Sequence, residues 1–288
     1  MPTNIQWTDE TWNPWQGCHP VSTACDNCYM YREMFHYGKD PRQVVLSSKK
    51  TFEKPLSLKP GTWVFTCSWS DFFHEAADQW RANAWNIIRN RPDLCFIILT
   101  KRPERIAECL PSDWGSGWKN VILGITAEDQ WNFNLRWQIL ELIPAAHYVI
   151  SHEPNLGLIQ YPPNFLSLGN RAWVITGGET GDRARPSHAL WFRNDRDQCH
   201  IHNVPFFFKH WGEWIHGIKN TNIIGDGAEF FTLHNDLVIS ERTAQIYRWA
   251  MGGASVKLGK TSTGRMLDGR EFNDLPQVEL IQLQTSLL

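Results

Sequence analysis

The stretch Leu94-Cys95-Phe96-Ile97-Ile98-Leu99 is a short, uninterrupted apolar run, and the polar residues Thr100, Lys101 and Arg102 follow it directly. Continuous apolar character, without the alternation of a half-exposed strand, indicates a strand that is buried on both faces. Strands of this kind are typical of parallel sheets that carry helices on their faces. The stretch therefore predicts one central strand of a parallel sheet.

The same pattern recurs along the chain at intervals of roughly 25–30 residues, which is the spacing of βαβ units. The other apolar runs are 63–67, 121–125, 148–150, 173–176 and 204–208, and helical patterns between them include 79–90 and 134–142. Strands that alternate with helices in this way favour a single parallel sheet. We predict an α/β fold in which residues 1–211 form a partial (β/α) TIM-like barrel.

The sequence after the last run changes character. Residues 230–239 read as a hairpin with an Asn-Asp turn, residues 239–249 have a weak helical pattern, and 252–276 are rich in glycine. We predict that residues 212–288 form a small C-terminal appendage packed on the barrel.

Three cysteines near the amino terminus, Cys18, Cys25 and Cys28, are separated by six and two residues. Thiolates that meet at one point hold iron–sulfur clusters, and a four-iron cluster with three protein ligands keeps one iron open. The next cysteine along the chain is Cys67, so we predict an open [4Fe–4S] site held by the three alone. An alternative is a closed structural zinc site, in which His19 supplies the fourth ligand of a Cys3His set.

Composition narrows the class of protein. The chain has 288 residues, 42% of them apolar, a formal net charge of -2 and an odd number of cysteines, seven. Scattered cysteines in an odd number argue against a disulfide framework and predict a reducing, cytoplasmic setting. We expect no membrane span, because no apolar stretch reaches about 18 residues, and no secretory signal at the start. The balanced charge does not support a broad nucleic-acid footprint, and we assign the 16 tryptophans to packing more than to base stacking.

In parallel α/β barrels the active site lies at the carboxyl ends of the strands. Every predicted strand of this chain is followed by polar or ionisable residues, and one of them also by the pair Gly177 and Gly178. These residues are Ser68, Ser70, Asp71, Thr100, Lys101, Arg102, Thr126, Glu128, Ser151, His152, Glu153, Glu179, Lys209 and His210. We therefore predict a ligand pocket on the rim that faces the cysteine loop.

Several of these residues allow two interpretations. Arg136 either clamps a carboxylate or is an idle residue on a helix surface. Lys101 and Lys209 either bind an anion or form rim ion pairs with Glu153 or Glu179. The Gly177-Gly178 pair permits close approach of a ligand or forms a tight turn, and Cys67 is either pocket-facing or a small buried apolar residue.

At the level of whole motifs, the chain resembles a family of phage and bacterial three-cysteine proteins, long filed as a domain of unknown function and related to the radical S-adenosylmethionine (SAM) enzymes. The matching segments are Trp7-Thr8-Asp9-x-Thr11-Trp12-Asn13-Pro14, Gly17-Cys18-x6-Cys25-x2-Cys28-Tyr29, Ser70-Asp71-x-Phe73-His74-Glu75, Leu99-Thr100-Lys101-Arg102-Pro103-Glu104-Arg105, Gly124-x3-Glu128, Glu153-Pro154, Gly177-Gly178-Glu179-x-Gly181, Ala184-Arg185-Pro186-x-His188, Phe207-Phe208-Lys209-x-Trp211-Gly212 and Leu267-Asp268-Gly269-Arg270-Glu271. They cover nearly the whole chain in order.

The resemblance implies a radical SAM partial barrel in which Cys18, Cys25 and Cys28 bind a [4Fe–4S] cluster and SAM chelates the open iron. One electron from a flavodoxin-like or ferredoxin-like donor would then cleave SAM to a 5′-deoxyadenosyl radical, which takes a hydrogen atom from the substrate. By the same analogy Ser68, Ser70 and Asp71 would lie near the SAM amino group, and Thr126, Glu128 and Arg136 near its ribose or methionine portion. Glu153, Glu179 and Lys209 would be left as catalytic residues for the substrate.

The chain departs from the usual radical SAM pattern at four points. The first gap between cysteines is six residues where three is usual, and Asn27 stands where an aromatic residue commonly precedes the last cysteine. When a short predicted strand at Thr11 is counted as the first, the Gly-Gly-Glu segment follows the sixth strand and not the second, so Glu179 is not assigned to the SAM amino group. His152 replaces an aliphatic residue of many relatives, which suggests a substrate-specific change.

The leading functional hypothesis is a radical SAM enzyme that modifies or isomerises a substituent on a hypermodified thymidine of phage DNA, with DNA or a modified nucleotide as its partner. One alternative is a base-repair enzyme similar to spore photoproduct lyase. The other is a non-catalytic nucleic-acid-binding module stabilised by zinc. The choice of substrate rests on the phage setting of the family and not on any single residue.

Overall fold

The fold was analysed in a computed structural model that describes residues 3, 5–223 and 228–281. Its strands are β1 (Glu10–Trp12), β2 (Trp15–Gln16), β3 (Val45–Leu46), β4 (Trp63–Thr66), β5 (Cys95–Thr100), β6 (Val121–Thr126), β7 (His147–His152), β8 (Ala172–Gly177), β9 (Phe206–His210), β10 (Trp214–Lys219), β11 (Phe230–Leu233), β12 (Val238–Ser240), β13 (Gln245–Arg248) and β14 (Ala254–Lys257). Its α-helices are α1 (Tyr29–His36), α2 (Lys49–Phe52), α3 (Asp78–Arg89), α4 (Ile106–Cys109), α5 (Gln130–Leu140), α6 (Pro163–Leu166), α7 (Ala189–Ile201) and α8 (Lys260–Thr263).

Seven strands form one parallel sheet in the order β1-β4-β5-β6-β7-β8-β9. Each neighbouring pair is parallel, from Glu10 opposite Val64 at one edge to Val174 opposite Phe206 at the other. The sheet is curled into a half-barrel. The predicted α/β fold with an incomplete parallel barrel is confirmed at this level of description.

The central strands are mostly apolar, and both faces of the sheet are covered. One face carries a cluster that includes Trp7, Phe65, Ile97 and Trp173. The opposite face packs against helices and contributes to the main core, with α3, α5 and α7 supplying apolar side chains such as Phe133. Burial of one large apolar side chain stabilises a fold by about 1.5–3 kcal/mol, so this double layer accounts for the continuous apolar runs in the sequence.

Two of the predicted helices are present with shifted ends. The pattern over 79–90 corresponds to α3, and the pattern over 134–142 corresponds to α5, which begins earlier, at Gln130. The earlier start has a local cause: the side chain of Asp129 accepts a hydrogen bond from the backbone N–H of Asn132 at 2.8 Å. An aspartate in this capping position satisfies a free N–H of the first turn and fixes where the helix begins.

The C-terminal region contains an antiparallel sheet in the order β12-β11-β10-β14-β13. The predicted hairpin at 230–239 is present as β11 and β12, with Asp236 at a positive φ of 63° in its turn. The predicted helix at 239–249 is wrong. The backbone N–H of Thr243 donates to the Ser240 carbonyl at 3.0 Å and closes a turn. The following residues form β13, which pairs with β14 and places its one half-buried residue, Ile246, opposite Val256.

The chain returns from the antiparallel sheet to the barrel. Phe208 N–H donates to the Phe272 carbonyl at 3.0 Å, and Asp274 N–H donates to the Phe206 carbonyl at 3.2 Å. These bonds cover the outer edge of β9, which would otherwise present unpaired backbone groups. Val278 and Leu280 then pack against the apolar cluster around Trp173. The division at residue 211 stays a prediction; β9 ends at His210 and β10 begins at Trp214.

Within the described parts of the chain, none of the helices combines the length and the apolar composition that crossing a bilayer requires.

Candidate functional site

A cavity of about 860 Å³ lies at the carboxyl ends of the parallel strands, beside the loop that follows β1. Most of the predicted site residues line it: Cys18, Cys25, Cys28, Ser68, Ser70, Asp71, Thr126, Glu153, Glu179 and Lys209. Glu128 and Arg136 are absent from its lining. The structure thus brings ten of the twelve predicted residues to one cavity, whose floor includes Trp7 and Phe65.

The cysteine loop is fixed by its own backbone. Gly17 N–H donates to the Trp69 carbonyl and Cys18 N–H to the Pro41 carbonyl, each at 2.9 Å. Gly17 has a φ of +95°, and a Cβ there would lie 2.3 Å from the Gln43 carbonyl oxygen, so only glycine fits. Cys28 is the residue that caps α1, and its N–H donates to the Cys25 carbonyl at 3.2 Å.

The three sulfurs can be compared with the close spacing that one tetrahedral metal ion requires. In a tetrahedral zinc site with Zn–S bonds of about 2.3 Å, two sulfurs lie roughly 3.8 Å apart. Among the described residues, the group whose ligand atoms all lie within 4.8 Å of one another is His19, His74 and Glu75, and it contains no cysteine. The thiols are free and only partly buried. Among the described residues, the three sulfurs therefore do not all lie within 4.8 Å of one another.

One ring nitrogen of His19 contacts another histidine. Its Nδ1 lies 2.9 Å from Nε2 of His74. Because His74 Nδ1 accepts from the backbone N–H of Ala76 at 3.1 Å, the proton of His74 is on Nε2 and is donated to His19. Burial lowers the pKa of His74, and the charge of Arg102 lowers it further.

Arg102 is the cation nearest the first cysteine. Its Nη1 lies 3.6 Å from the Cys18 sulfur, and its Nη2 donates to the His19 carbonyl at 2.9 Å. Asp71 holds the guanidinium from the other side at 3.5 Å. Burial raises the pKa of Cys18 to about 12, and the charge of Asp71 adds to the rise while Arg102 opposes it. The free thiol is therefore protonated at neutral pH, and a bound metal would displace the proton.

The side chains after β4 connect the strand end to the cysteine loop. Ser70 Oγ donates to the Gly17 carbonyl at 2.6 Å, and Ser68 Oγ accepts from Asn13 Nδ2 at 2.9 Å. Asp71 accepts from Thr100 Oγ1 at 2.7 Å and from the Lys101 N–H at 3.0 Å. These three residues line the cavity, and in this structure their bonds hold its wall together.

Glu179 and Arg185 form a second connection to the cysteine loop. Arg185 binds both carboxylate oxygens of Glu179, through Nη2 at 2.5 Å and Nε at 2.9 Å. Asn27, between the last two cysteines, donates to the same carboxylate at 3.1 Å, and Arg185 Nη2 also donates to the Thr23 carbonyl at 2.9 Å. Glu179 thus acts on the cysteine loop as a positioning residue; the catalytic role given to it stays a prediction.

We expect Glu179→Gln to lower the thermal stability of the metal-free protein, because the bidentate ion pair and the anchor of Asn27 are lost together. Hydrogen bonds to charged groups contribute about 1.5–3 kcal/mol, so a fall in melting temperature of several degrees is expected by calorimetry. Asp182→Asn, at an exposed neighbouring carboxylate, is the matched control. Equal melting temperatures for the two variants would show that Glu179 does not fasten the loop.

Arg136 and Glu128 lie behind the cavity wall. Arg136 Nη1 donates to the Glu128 carboxylate and to the Thr126 carbonyl, both at 2.7 Å. Burial raises the pKa of Glu128, but the hydrogen bond and charge of Arg136 outweigh it and keep the pKa below its ordinary value. The interpretation of Arg136 as an idle surface residue is wrong, since it is 6% exposed. Its contact with SAM stays a prediction.

Glu153 and Lys209 form an ion pair across the end of β8. Lys209 Nζ lies 2.5 Å from Glu153 Oε2, over the position of Gly177. The other oxygen of Glu153 is buried without a hydrogen-bond partner in the part of the chain that the structure describes. The rim ion pair considered for Lys209 is therefore present, and Glu153 keeps one unsatisfied acceptor.

Other strand-end residues have structural roles. A Cβ on Gly178 would lie 1.8 Å from the Trp211 carbonyl oxygen, so this glycine permits contact between two backbone segments. His152 was expected on the rim, but it is fully buried and its Nδ1 lies 2.8 Å from Asp195 Oδ2 on α7. Cys67 is buried and also lines the cavity.

The C-terminal region contributes to this cavity, which the sequence does not predict. Glu213 and Lys260 line it together with residues of the barrel. Nothing in the sequence near Lys260 signals this placement, because it depends on how the antiparallel sheet packs on β9.

Comparisons with known proteins identify a family for this chain. Neither a search of curated proteins nor a search of solved structures finds a match to this chain. One family model matches residues 2–276, which is nearly the whole chain. The chain therefore belongs to the family described as "Protein of unknown function (DUF5131)".

Proposed function

We propose that the chain is a radical SAM enzyme, in which Cys18, Cys25 and Cys28 hold a [4Fe–4S] cluster and SAM occupies the open iron. One observation carries the proposal. Three free thiols on the loop after the first strand of a parallel half-barrel line the cavity at the strand ends. Cysteine thiolates are the ligands that such clusters require.

The remaining side chains have proposed roles that follow from their positions. When bound, the cluster and SAM would supply a 5′-deoxyadenosyl radical; the protein supplies position, charge and exclusion of water. Ser68, Ser70, Asp71 and Thr126 line the part of the cavity wall proposed for SAM, while Arg136 and Glu128 support that wall from behind. Lys101 is a cation beside Cys28, and its charge lowers the pKa of that thiol against the larger effect of burial.

For the substrate we propose a hypermodified thymidine of phage DNA, with modification or isomerisation of a substituent on its base. The ion pair of Glu153 and Lys209 supports a substrate that carries polar, hydrogen-bonding groups. A radical rearrangement fits because it moves a substituent without net oxidation. A low-potential protein of the flavodoxin or ferredoxin kind would deliver the electron.

The proposal is tested by the product of SAM cleavage. Anaerobically reconstituted protein is incubated with SAM and dithionite, first alone and then with phage DNA that carries modified thymidine. We expect 5′-deoxyadenosine by liquid chromatography, with more of it and a changed nucleoside when the DNA is present. Intact SAM after reduction of a protein that contains its full complement of iron would overturn the proposal.

Arg102 gives a second test through a property of the cluster. Hydrogen bonds to the sulfurs and nearby charge set cluster potentials, so Arg102→Met is expected to lower the reduction potential. The expected shift is on the order of 60 mV, which for one electron is a tenfold change in the equilibrium constant. Redox titration followed by electron paramagnetic resonance measures it, with Arg89→Met on the surface of α3 as control. Equal potentials for both variants would exclude Arg102 from this role.

A further inference from the structure

One corner of the cavity is built by the end of β9 together with the C-terminal region. Lys209 and His210, the last two residues of β9, line it with Glu213 and Lys260. Lys260 is held in place by its backbone: its N–H donates to Glu213 Oε2 at 3.2 Å. Thr263, in the same short helix, donates from Oγ1 to the Gly212 carbonyl at 2.6 Å. The antiparallel sheet thus brings a lysine to a cavity that the barrel forms.

The two ammonium groups in this corner differ in whether they have a partner. Lys209 is paired with Glu153. Glu213 accepts hydrogen bonds from the backbone N–H groups of Gly181 and Lys260. In residues 3, 5–223 and 228–281, no hydrogen bond or ion pair is made by Lys260 Nζ. The corner therefore contains a cation without a direct partner, next to a second cation that has one.

The charges also act on each other. Burial lowers the pKa of Lys260, and the charge of Lys209 lowers it further. His210 is 5% exposed, and its pKa is held well below the ordinary value by burial first and then by the same two lysines. Its ring is therefore neutral near pH 7, and among the described residues its Nδ1 has no hydrogen-bond partner. A bound anion would relieve the repulsion between the lysines.

We propose that Lys209 and Lys260 bind a phosphate group of the substrate nucleotide, so that the C-terminal region completes the substrate site. Lysine binds phosphate as a point charge, and two lysines at one corner suit a group with several anionic oxygens. This inference deepens the proposed function and rests on it for the identity of the substrate. The phosphate belongs either to a free nucleotide or to a DNA strand.

The test compares ligands that differ only in phosphate. Thymidine, thymidine 5′-monophosphate and a short oligothymidylate are titrated into the reconstituted protein and followed by calorimetry. We expect both phosphate-bearing ligands to bind about tenfold or more tightly than thymidine, as charged hydrogen bonds imply. Stronger binding of the monophosphate than of the oligomer identifies a free nucleotide, and the reverse order identifies a strand. Equal affinity for thymidine and its monophosphate, or no binding of either phosphate-bearing ligand, overturns the proposal.

Variants assign the effect to this corner. Lys260→Ala should remove most of the preference for phosphate and leave thymidine binding unchanged, and Lys260→Arg should keep part of it. Lys219→Ala is the matched control, because Lys219 is an exposed lysine at the end of β10 that pairs with Glu229. An unchanged preference in Lys260→Ala contradicts the proposal.

The same titration with Cys25→Ala separates the two hypotheses. Retained phosphate preference in a protein that neither holds a cluster nor cleaves SAM is expected, since the corner contains no cysteine. If wild-type protein shows the preference but never cleaves SAM, the phosphate site stands and the radical SAM proposal fails. If it cleaves SAM but shows no preference for phosphate, the radical SAM proposal stands and the phosphate site fails.

Discussion

Replacing Cys25 with alanine is expected to leave the protein without iron and without SAM cleavage. Cys25 lies between the other two ligands in the loop, and its charge raises the pKa of both Cys18 and Cys28. With two thiolates a four-iron cluster would have two irons without a protein ligand, and we expect such a cluster to be lost. Iron and sulfide analysis after anaerobic reconstitution measures the loss, and 5′-deoxyadenosine formation follows it.

The matched control is Cys109→Ala. Cys109 is a partly buried cysteine at the end of α4, and it lies in a separate surface cleft with Arg105 and Trp85. This variant should reconstitute with the same iron content as the wild type. A Cys25→Ala protein with full iron would remove Cys25 from the ligand set.

Replacing Arg136 with alanine is expected to produce the second large effect, a loss of stability of about 3–5 kcal/mol, because it leaves the buried charge of Glu128 without its partner. Glu128 has no exposed surface, and Arg136 is its ion-pair partner at 2.7 Å. At about 2–4 °C per kcal/mol, the melting temperature should fall by about 10 °C. SAM affinity should weaken as well, because Arg136 also holds the carbonyl of Thr126 in the cavity wall.

The loss of stability in Arg136→Ala should depend on pH in a defined direction. In the wild type the pKa of Glu128 lies below its ordinary value, so its contribution is present above the unfolded pKa and is lost as pH falls through the folded pKa. Without Arg136 the burial of Glu128 raises its pKa, and the variant loses stability as pH rises above the unfolded value. The difference between the two proteins should therefore shrink between pH 7 and pH 4.

Arg89→Ala provides the control for this experiment. Arg89 pairs with Asp113 on the surface, where both side chains are about half exposed, and exposed pairs contribute about 0–1 kcal/mol. Its melting temperature should stay within a few degrees of the wild type. If Arg136→Ala were as stable as Arg89→Ala at pH 7, the buried pair would not support the wall of the cavity.

The parallel sheet was predictable because its signal is local and repeated. A strand buried on both faces is mostly apolar, as are β5, β6 and β8, which are buried at every position. Element ends were less predictable, since they depend on single bonds such as the cap that Asp129 gives to α5. Residues 245–248 were misassigned because a helical pattern over a short segment was outweighed by pairing with β14.

The candidate site was predictable where it consists of residues at strand ends. Strand-end residues such as Ser70 and Glu153 could be named because parallel strands end on one rim. Sequence alone gave no means of knowing that Glu179 is held by Arg185 and Asn27, or that Arg136 points behind the wall to Glu128. Lys260 is 51 residues from its neighbour in the cavity corner, Lys209, and only the packing of the C-terminal sheet brings them together.

The central claim is that the three cysteines hold a four-iron cluster with one iron open to SAM. The direct measurement is metal and sulfide analysis of the reconstituted protein, combined with electron paramagnetic resonance of the reduced form before and after SAM is added. We predict about four irons and four sulfides per chain, and a cluster signal that changes when SAM binds, as an open iron requires. A colourless protein with one zinc ion per chain, or a cluster signal indifferent to SAM, would contradict the claim.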